Sequence, residues 1–220
     1  MGYLERTHDQ INTEILIMTS EHDDWNGELI DYFEGEHNMQ FFKENFGMGR
    51  GGLHMYFNSL YSFAKGEWII YFCEDHFITM DGWDNYVRER IVKDVLDPND
   101  IWCLIPKFHN VGAMNQILSR GYVNALGGVL GKHGNIDSYI NDVNLAAFGD
   151  SKDSRVVRFD DEMFYDFTHD QPNRLDDYWT KPDLRAEALT LPKYGDDRVK
   201  EAIARDAAKI KEAMDKEPMA

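Results

Sequence analysis

Residues 66–77 read G-E-W-I-I-Y-F-C-E-D-H-F, an apolar run that stops on Glu74, Asp75 and His76. A short stretch rich in β-branched and aromatic residues, opened by a glycine, is expected to be a buried strand. On this reading residues 68–73 form the strand and two acids and an imidazole stand at its carboxyl end. Hard divalent cations take carboxylate oxygens first, and imidazole is acceptable to manganese. Taken alone, a strand that ends on acids is more often a solvated turn, so its neighbours decide the reading.

Working outward, the chain alternates between strand and helix patterns. Residues 13–18 (T-E-I-L-I-M) are a short apolar run that ends in the polar loop T-S-E-H-D-D, and residues 27–33 follow with helical spacing. Residues 39–42 are a second short strand. The loop N-F-G-M-G-R-G-G (residues 45–52) leads to a stretch without helix breakers over 53–64. Beyond the central strand, residues 86–95 are expected as a helix and 100–106 as another buried strand, with Pro106 marking its end. Residues 121–134 are glycine-rich, and 150–195 show little periodicity. Val199, Ile203, Ala207, Ile210 and Met214 make one face of a terminal amphipathic helix. Repeated strand–helix–strand order predicts an α/β fold: a three-layer domain with a mostly parallel sheet, residues 13–18 and 68–73 being neighbours in it. Ligands of such sheets gather at the carboxyl ends of the strands.

Composition limits the function. The 220 residues carry 40 acids against 23 lysines and arginines, a formal charge of -17. Such a chain repels polyanions, which argues against nucleic acid as its ligand and implies a metal wherever phosphates bind near carboxylates. Neither a membrane-length apolar stretch nor a secretory leader is apparent, so the expected compartment is the cytoplasm. Cys73 and Cys103 lie in apolar segments and are expected as buried free thiols. An oligomer is compatible with the sequence.

The succession of the T-S-E-H-D-D loop, N-F-G-M-G-R-G-G and F-A-K-G-E-W-I-I-Y-F-C-E-D-H resembles the nucleotide-binding half of GT-A type glycosyltransferases, the inverting nucleotide-sugar enzymes. In that family an asparagine-x-glycine loop precedes a helix ending in alanine-x-glycine-glutamate, and the next strand ends in aspartate-x-aspartate. Asn45, Gly47, Ala64, Gly66 and Glu67 fit those places. Cys73 stands where the first aspartate would, and Thr19 and Ser20, followed by Glu21, stand where an acidic pair would. The family's first strand has no counterpart ahead of residue 3.

The resemblance implies a division of labour. Residues 1–150 would be the nucleotide-sugar-binding and catalytic core, and 151–220 a C-terminal extension packed on the same domain. Asp75, with the late His169, would hold Mn2+ or Mg2+. Ser20, Glu21, Asn45, Arg50 and Glu74 would contact the nucleotide-sugar donor. Asp142 or Asp137, near the start of a downstream helix, would be the base for an acceptor hydroxyl, Asp142 being favoured, and helix capping is the ordinary reading of Asp137. Trp83, just past the acids, is a candidate for stacking on an acceptor sugar.

Two classes of function follow. One is a metal-dependent glycosyltransferase acting on a hydroxyl of a glycan, lipid or protein. The other is a non-catalytic glycosyltransferase-like binding or scaffold protein. The surviving acids favour the first, and the missing first strand favours the second.

Overall fold

The computed structural model describes residues 6, 7, 9, 11–20, 39–44, 53–72, 76–109, 115–133, 136–149, 155–166 and 195–216. In chain order the elements are β1 (Ile15–Ser20), β2 (Met39–Glu44), α1 (Leu53–Tyr61), β3 (Trp68–Ile69), β4 (His76–Ile78), α2 (Trp83–Lys93), β5 (Cys103–Phe108), β6 (Ile117–Ser119), α3 (Arg120–Ala125), α4 (Ile136–Phe148), β7 (Val156–Asp166) and α5 (Asp197–Asp215).

The strands form two sheets. β1 and β2 pair in parallel by themselves, and the second sheet has the order β3-β6-β5-β7-β4. In it only β5 and β7 run parallel, and the other pairs are antiparallel. The expectation of one mostly parallel sheet is therefore corrected: the larger sheet is mixed, and β1 and β3 lie in different sheets. The reason is connection length. The segment between Phe108 and Ile117 is too short for a helical crossover, so β6 returns antiparallel beside β5.

Apolar side chains pack on both faces of the larger sheet. Cys103 and Ile105 of β5 join a core with Phe57 and Tyr61 of α1, Tyr122 of α3, Val143 of α4 and Ile210 of α5. Leu104 and Phe108 join the opposite core, with Trp83 and Val87 of α2 and Phe159 and Phe164 of β7. This is the period-two alternation of a strand buried on both faces.

Pro106 lies inside β5 rather than at its end. The register jumps on both sides of Lys107, from Ile105 opposite Arg158 to Lys107 opposite Glu162. A proline brings no N–H to the ladder, and a bulge is where a strand interior tolerates it. β7 falls in the segment read as aperiodic, and it occupies an interior place in the sheet. The helices read over 53–64, 86–95 and the C-terminal stripe are present, with shifted ends: α1 stops at Tyr61, and α2 begins at Trp83, while the helical spacing over 27–33 lies outside the described residues.

The turn into β3 is held by Arg120. Its guanidinium donates to the carbonyls of Ala64 (3.0 Å) and Gly66 (3.0 Å), and its backbone N–H donates to Glu67 O (2.8 Å). Its charge lies 5.0 Å from the centre of the Tyr61 ring. The alanine-x-glycine-glutamate turn thus ends α1 and aims β3 through a single cation. Among the described residues, no helix is long and apolar enough to cross a membrane.

Candidate functional site

At one edge of the five-stranded sheet the ends of β5 and β7 meet the start of β4: Phe108 lies opposite Phe164 and Asp166 opposite His76, whereas β6 starts further back, at Ile117 opposite Leu104. His76 and Asp166 are direct register partners. In the sequence, residues 73–75 directly precede His76 and residues 167–169 directly follow Asp166.

A buried polar cluster lies behind this edge. β3 and β6 pair Ile69 with Leu118, and the same antiparallel progression carries Tyr71 to Gln116. The Tyr71 hydroxyl donates to Asp137 Oδ1 at 2.9 Å, and Gln116 Oε1 lies against the same hydroxyl. The backbone N–H of Asn115 donates to the same Asp137 oxygen at 2.8 Å. Gln116 Nε2 donates to Asn141 Oδ1 at 3.0 Å, one turn along α4. Asn115 Nδ2 donates to Nδ1 of His76, 2.9 Å away. Nδ1 is the acceptor in that bond, so a neutral ring carries its proton on Nε2.

Electrostatics follow from burial. Burial pushes the Asp137 carboxyl above its ordinary value, opposed by hydrogen bonds from Asn115 and Tyr71. Burial and the neighbouring Asp137 raise the Tyr71 hydroxyl well above its usual range, so it stays a protonated donor. Cys103 is buried and free, and burial lifts its thiol to about 12, which leaves it unreactive.

The expected site residues divide between described and undescribed positions. Glu21, Asn45, Arg50, Cys73, Glu74, Asp75 and His169 lie outside the described residues, and Ser20 is described only through its backbone, as the last residue of β1. Asp137 and Asp142 both lie on α4. Asp137 holds Tyr71 and Asn115 and is mostly enclosed, whereas Asp142 is half-buried a little further along the helix.

Two expectations change at this level. His76 does not stand at the surface beside the two acids: it is 2% exposed and packs edge-on against Phe108. Trp83 is not a sugar platform. It is buried, its Nε1 donates to Thr7 Oγ1 at 3.1 Å, and its ring packs on Phe72 and Phe164.

Tyr71, Asn115, Gln116 and Asn141 carry the cluster and were missed by sequence reasoning. Tyr71 reads as one more apolar strand residue. The pair Asn115-Gln116, polar residues directly ahead of the run I-L-S, was the available signal. Among the described residues, no group of three or more acids, histidines and cysteines is assembled as a metal site.

At the level of sequence, no family model matches the chain, and no curated protein matches it significantly. At the level of structure it is similar to S. aureus TarS, a glycosyltransferase. The similarity to TarS residues 1–349 has a TM-score of 0.54 at 12% identity, covering 93% of this chain and 64% of that one. A longer TarS structure gives 0.55 at 11% identity, and here the chain spans 51% of its neighbour's length. The 1–349 form in complex with UDP gives 0.56 at 10% identity, covering 96% of this chain and 84% of that one. The chain therefore has a glycosyltransferase-like α/β fold.

Proposed function

We propose that the chain is a metal-dependent glycosyltransferase of the GT-A type, which moves a sugar from a nucleotide-diphosphate donor to a hydroxyl of a glycan-type acceptor. The observation that carries this reading is the register pair His76 and Asp166 in a fold similar to TarS. Asp75 directly precedes one member of the pair, and His169 follows the other after two residues. Two register partners with an acid and a histidine this near them in sequence suit a pair of ligands shared by one ion.

The donor set fits Mn2+ or Mg2+ by its chemistry. Asp75 and Glu74 offer hard carboxylate oxygens, and His169 adds an imidazole acceptable to manganese. Such an ion, when bound, neutralises the charge that develops on the departing diphosphate. Asp75 and His169 would hold it. Ser20, Glu21, Asn45, Arg50 and Glu74 would contact the donor, Arg50 through charge-assisted bonds to phosphate.

Asp142 is the base in this reading, because Asp137 already accepts two hydrogen bonds through one oxygen inside the protein. A group so engaged is poorly placed to take a proton from an acceptor hydroxyl. Residues 1–150 would supply the nucleotide-binding and catalytic core, and 151–220 would complete it by an added strand and helix.

The test is nucleoside diphosphate release from a panel of nucleotide sugars, with Mn2+ and simple glycan acceptors. The wild-type chain should turn over one donor. Asp75→Asn and Asp142→Asn should each lower kcat by roughly a hundredfold or more. Nucleotide binding without transfer from any donor would favour the non-catalytic binding protein instead.

A further inference from the structure

A row of aromatic rings crosses the end of the five-stranded sheet where β4, β7 and β5 meet. Phe77 of β4 and Tyr165 of β7 are register partners. The imidazole of His109, the residue after β5, stacks on the Tyr165 ring with centroids 5.9 Å apart and planes 29° from parallel. The N–H of His109 donates to Phe164 O at 2.9 Å, which fixes the imidazole beside that ring. Strand alternation puts all three rings on one face of the sheet. Ile78, Phe108 and Phe164 face the core that α2 covers, and Phe77, His109 and Tyr165 are each one residue along from them. Theirs is the face on which α4, the helix bearing Asp142, packs through Val143.

The row is open to solvent. Phe77 is 46% exposed, the His109 side chain is 61% exposed, and Tyr165 between them is half-buried. A single exposed ring is ordinary, whereas adjoining rings make a contiguous apolar strip, which marks a binding surface. Its border is polar. Glu162 Oε2 lies 2.6 Å from His109 Nδ1, and Lys107 Nζ is 3.6 Å from the other oxygen of that carboxylate. With Nδ1–H donating to Glu162, a neutral His109 ring keeps Nε2 as an acceptor. An apolar strip rimmed by a few hydrogen-bonding groups suits a ligand that is flat and hydroxylated.

We propose that Phe77, Tyr165 and His109 form an acceptor subsite, a platform on which a pyranose ring of a neutral glycan stacks. This rests on the reading of the chain as a glycosyltransferase and adds the place and class of its acceptor. A pyranose turns a face of C–H groups to aromatic rings and a circumference of hydroxyls to Glu162 and His109. A nucleobase is equally flat, but it would bring its phosphates toward Glu162 and its exposed neighbours Asp160 and Asp161, where like charges repel. A neutral sugar meets no such repulsion from a chain of formal charge -17. The stacking role expected of Trp83, which is buried, falls to these rings instead.

The experiment is calorimetry and saturation-transfer NMR with cellohexaose and chitohexaose, two neutral β-linked glycans, in the absence of donor and metal. UDP affinity with Mn2+ and nucleoside diphosphate release are measured on the same proteins. Phe77→Leu keeps apolar bulk without a ring, Phe77→Trp keeps a ring, and His109→Ala removes the outermost ring. The control is Val92→Ser, at an apolar side chain on α2 that is 76% exposed. The wild-type chain should bind at least one of the glycans. Phe77→Leu and His109→Ala should each weaken that binding about tenfold, with UDP affinity unchanged, and Phe77→Trp and Val92→Ser should keep wild-type values. A wild-type chain that binds neither glycan overturns the proposal, as does glycan binding that Phe77→Leu and His109→Ala leave intact. UDP affinity lost in those two variants overturns it too, because the platform would then hold the base. In each of these cases donor turnover by the wild-type chain leaves the glycosyltransferase reading standing. Ring-dependent glycan binding by a chain that turns over no donor overturns that reading and leaves the platform as a glycan-binding surface.

Discussion

Asp206 shows what one buried charge does here. It lies on α5, is fully buried, and accepts from Lys132 Nζ at 2.6 and 2.8 Å and from the Tyr139 hydroxyl at 2.6 Å. Lys209 adds an ion pair at 3.2 Å. Burial raises this carboxyl, but the hydrogen bonds and charges of Lys132, Tyr139 and Lys209 outweigh it, and the net shift is downward. An acid whose folded pKa is depressed binds its proton more weakly in the folded state, so protonation favours unfolding. Its contribution is complete above the unfolded value of about 3.9 and is lost as pH falls through the lower folded value. Asp206→Asn should cost about 2–3 kcal/mol at pH 7, roughly 5–10 °C in Tm for a chain of this size. Thermal melts from pH 7 to pH 3 should show the gap to wild type constant down to about pH 4 and narrowing only below it. A gap that closes between pH 7 and pH 5 would mean that another group sets it. Asp206 was illegible in the sequence for the same reason as the role of Asp137. A carboxylate on an amphipathic helix reads as solvated face, and only tertiary contacts reveal that it is buried among donors.

The helices were largely legible as elements, and the strands only in part. The spacing of Val199, Ile203, Ala207, Ile210 and Met214 marks α5, and Val199 and Ile210 are buried as that stripe requires. β7 was not legible. Its alternation runs from buried Val157 through exposed Arg158 to buried Phe159, and then breaks where Asp160, Asp161 and Glu162 are all exposed before Met163 and Phe164 turn inward. The register shift opposite Lys107 accounts for the break, and a bulge destroys the period-two signal that sequence reading depends on. β3 is shorter than its apolar run: the ladder ends at Ile69, and beyond it the Tyr71 hydroxyl bonds Asp137. α3 offers a test of how closely these elements meet. A Cβ at Gly121 would collide with the backbone carbonyls of Asn99 and Asp100, and the Gly121 N–H donates to Pro98 O at 2.8 Å. Backbone cannot move aside as a flexible side chain can. Gly121→Ala should cost about 3 kcal/mol or more, whereas Gly127→Ala, at a φ of +89° with only Lys209 Nζ near at 4.0 Å, should cost about 1–2 kcal/mol. Denaturant melts of the two variants would rank them. Equal losses would show that the contact of α3 with the 97–100 turn is looser than its geometry implies.

At the scale of the whole molecule, a fold similar to TarS persists at 10–12% identity, because burial pattern and connection length constrain topology more than they constrain residue identity. Charge is a separate property of the chain, and it sharpens the nucleotide question. With 40 acids against 23 lysines and arginines, the long-range field repels a free nucleoside diphosphate, which carries about three negative charges of its own. A protein that grips phosphate with basic side chains binds it without metal and loses affinity steeply as salt is added. In the function proposed for this chain a cation would bridge diphosphate and carboxylates, and on that reading removing it should cost far more than raising the salt. UDP is the appropriate probe, since it is bound in the TarS complex. Its affinity, measured by calorimetry with Mn2+ and then with a chelator, should fall at least about thirtyfold, a difference of roughly 2 kcal/mol by the tenfold-per-1.4 relation. Addition of salt to 0.2 M with the metal present should change it by only a few-fold. UDP binding that survives chelation and collapses with salt would show that arginines and lysines carry the phosphates. Arg50 would then replace Asp75 as the residue on which recognition turns.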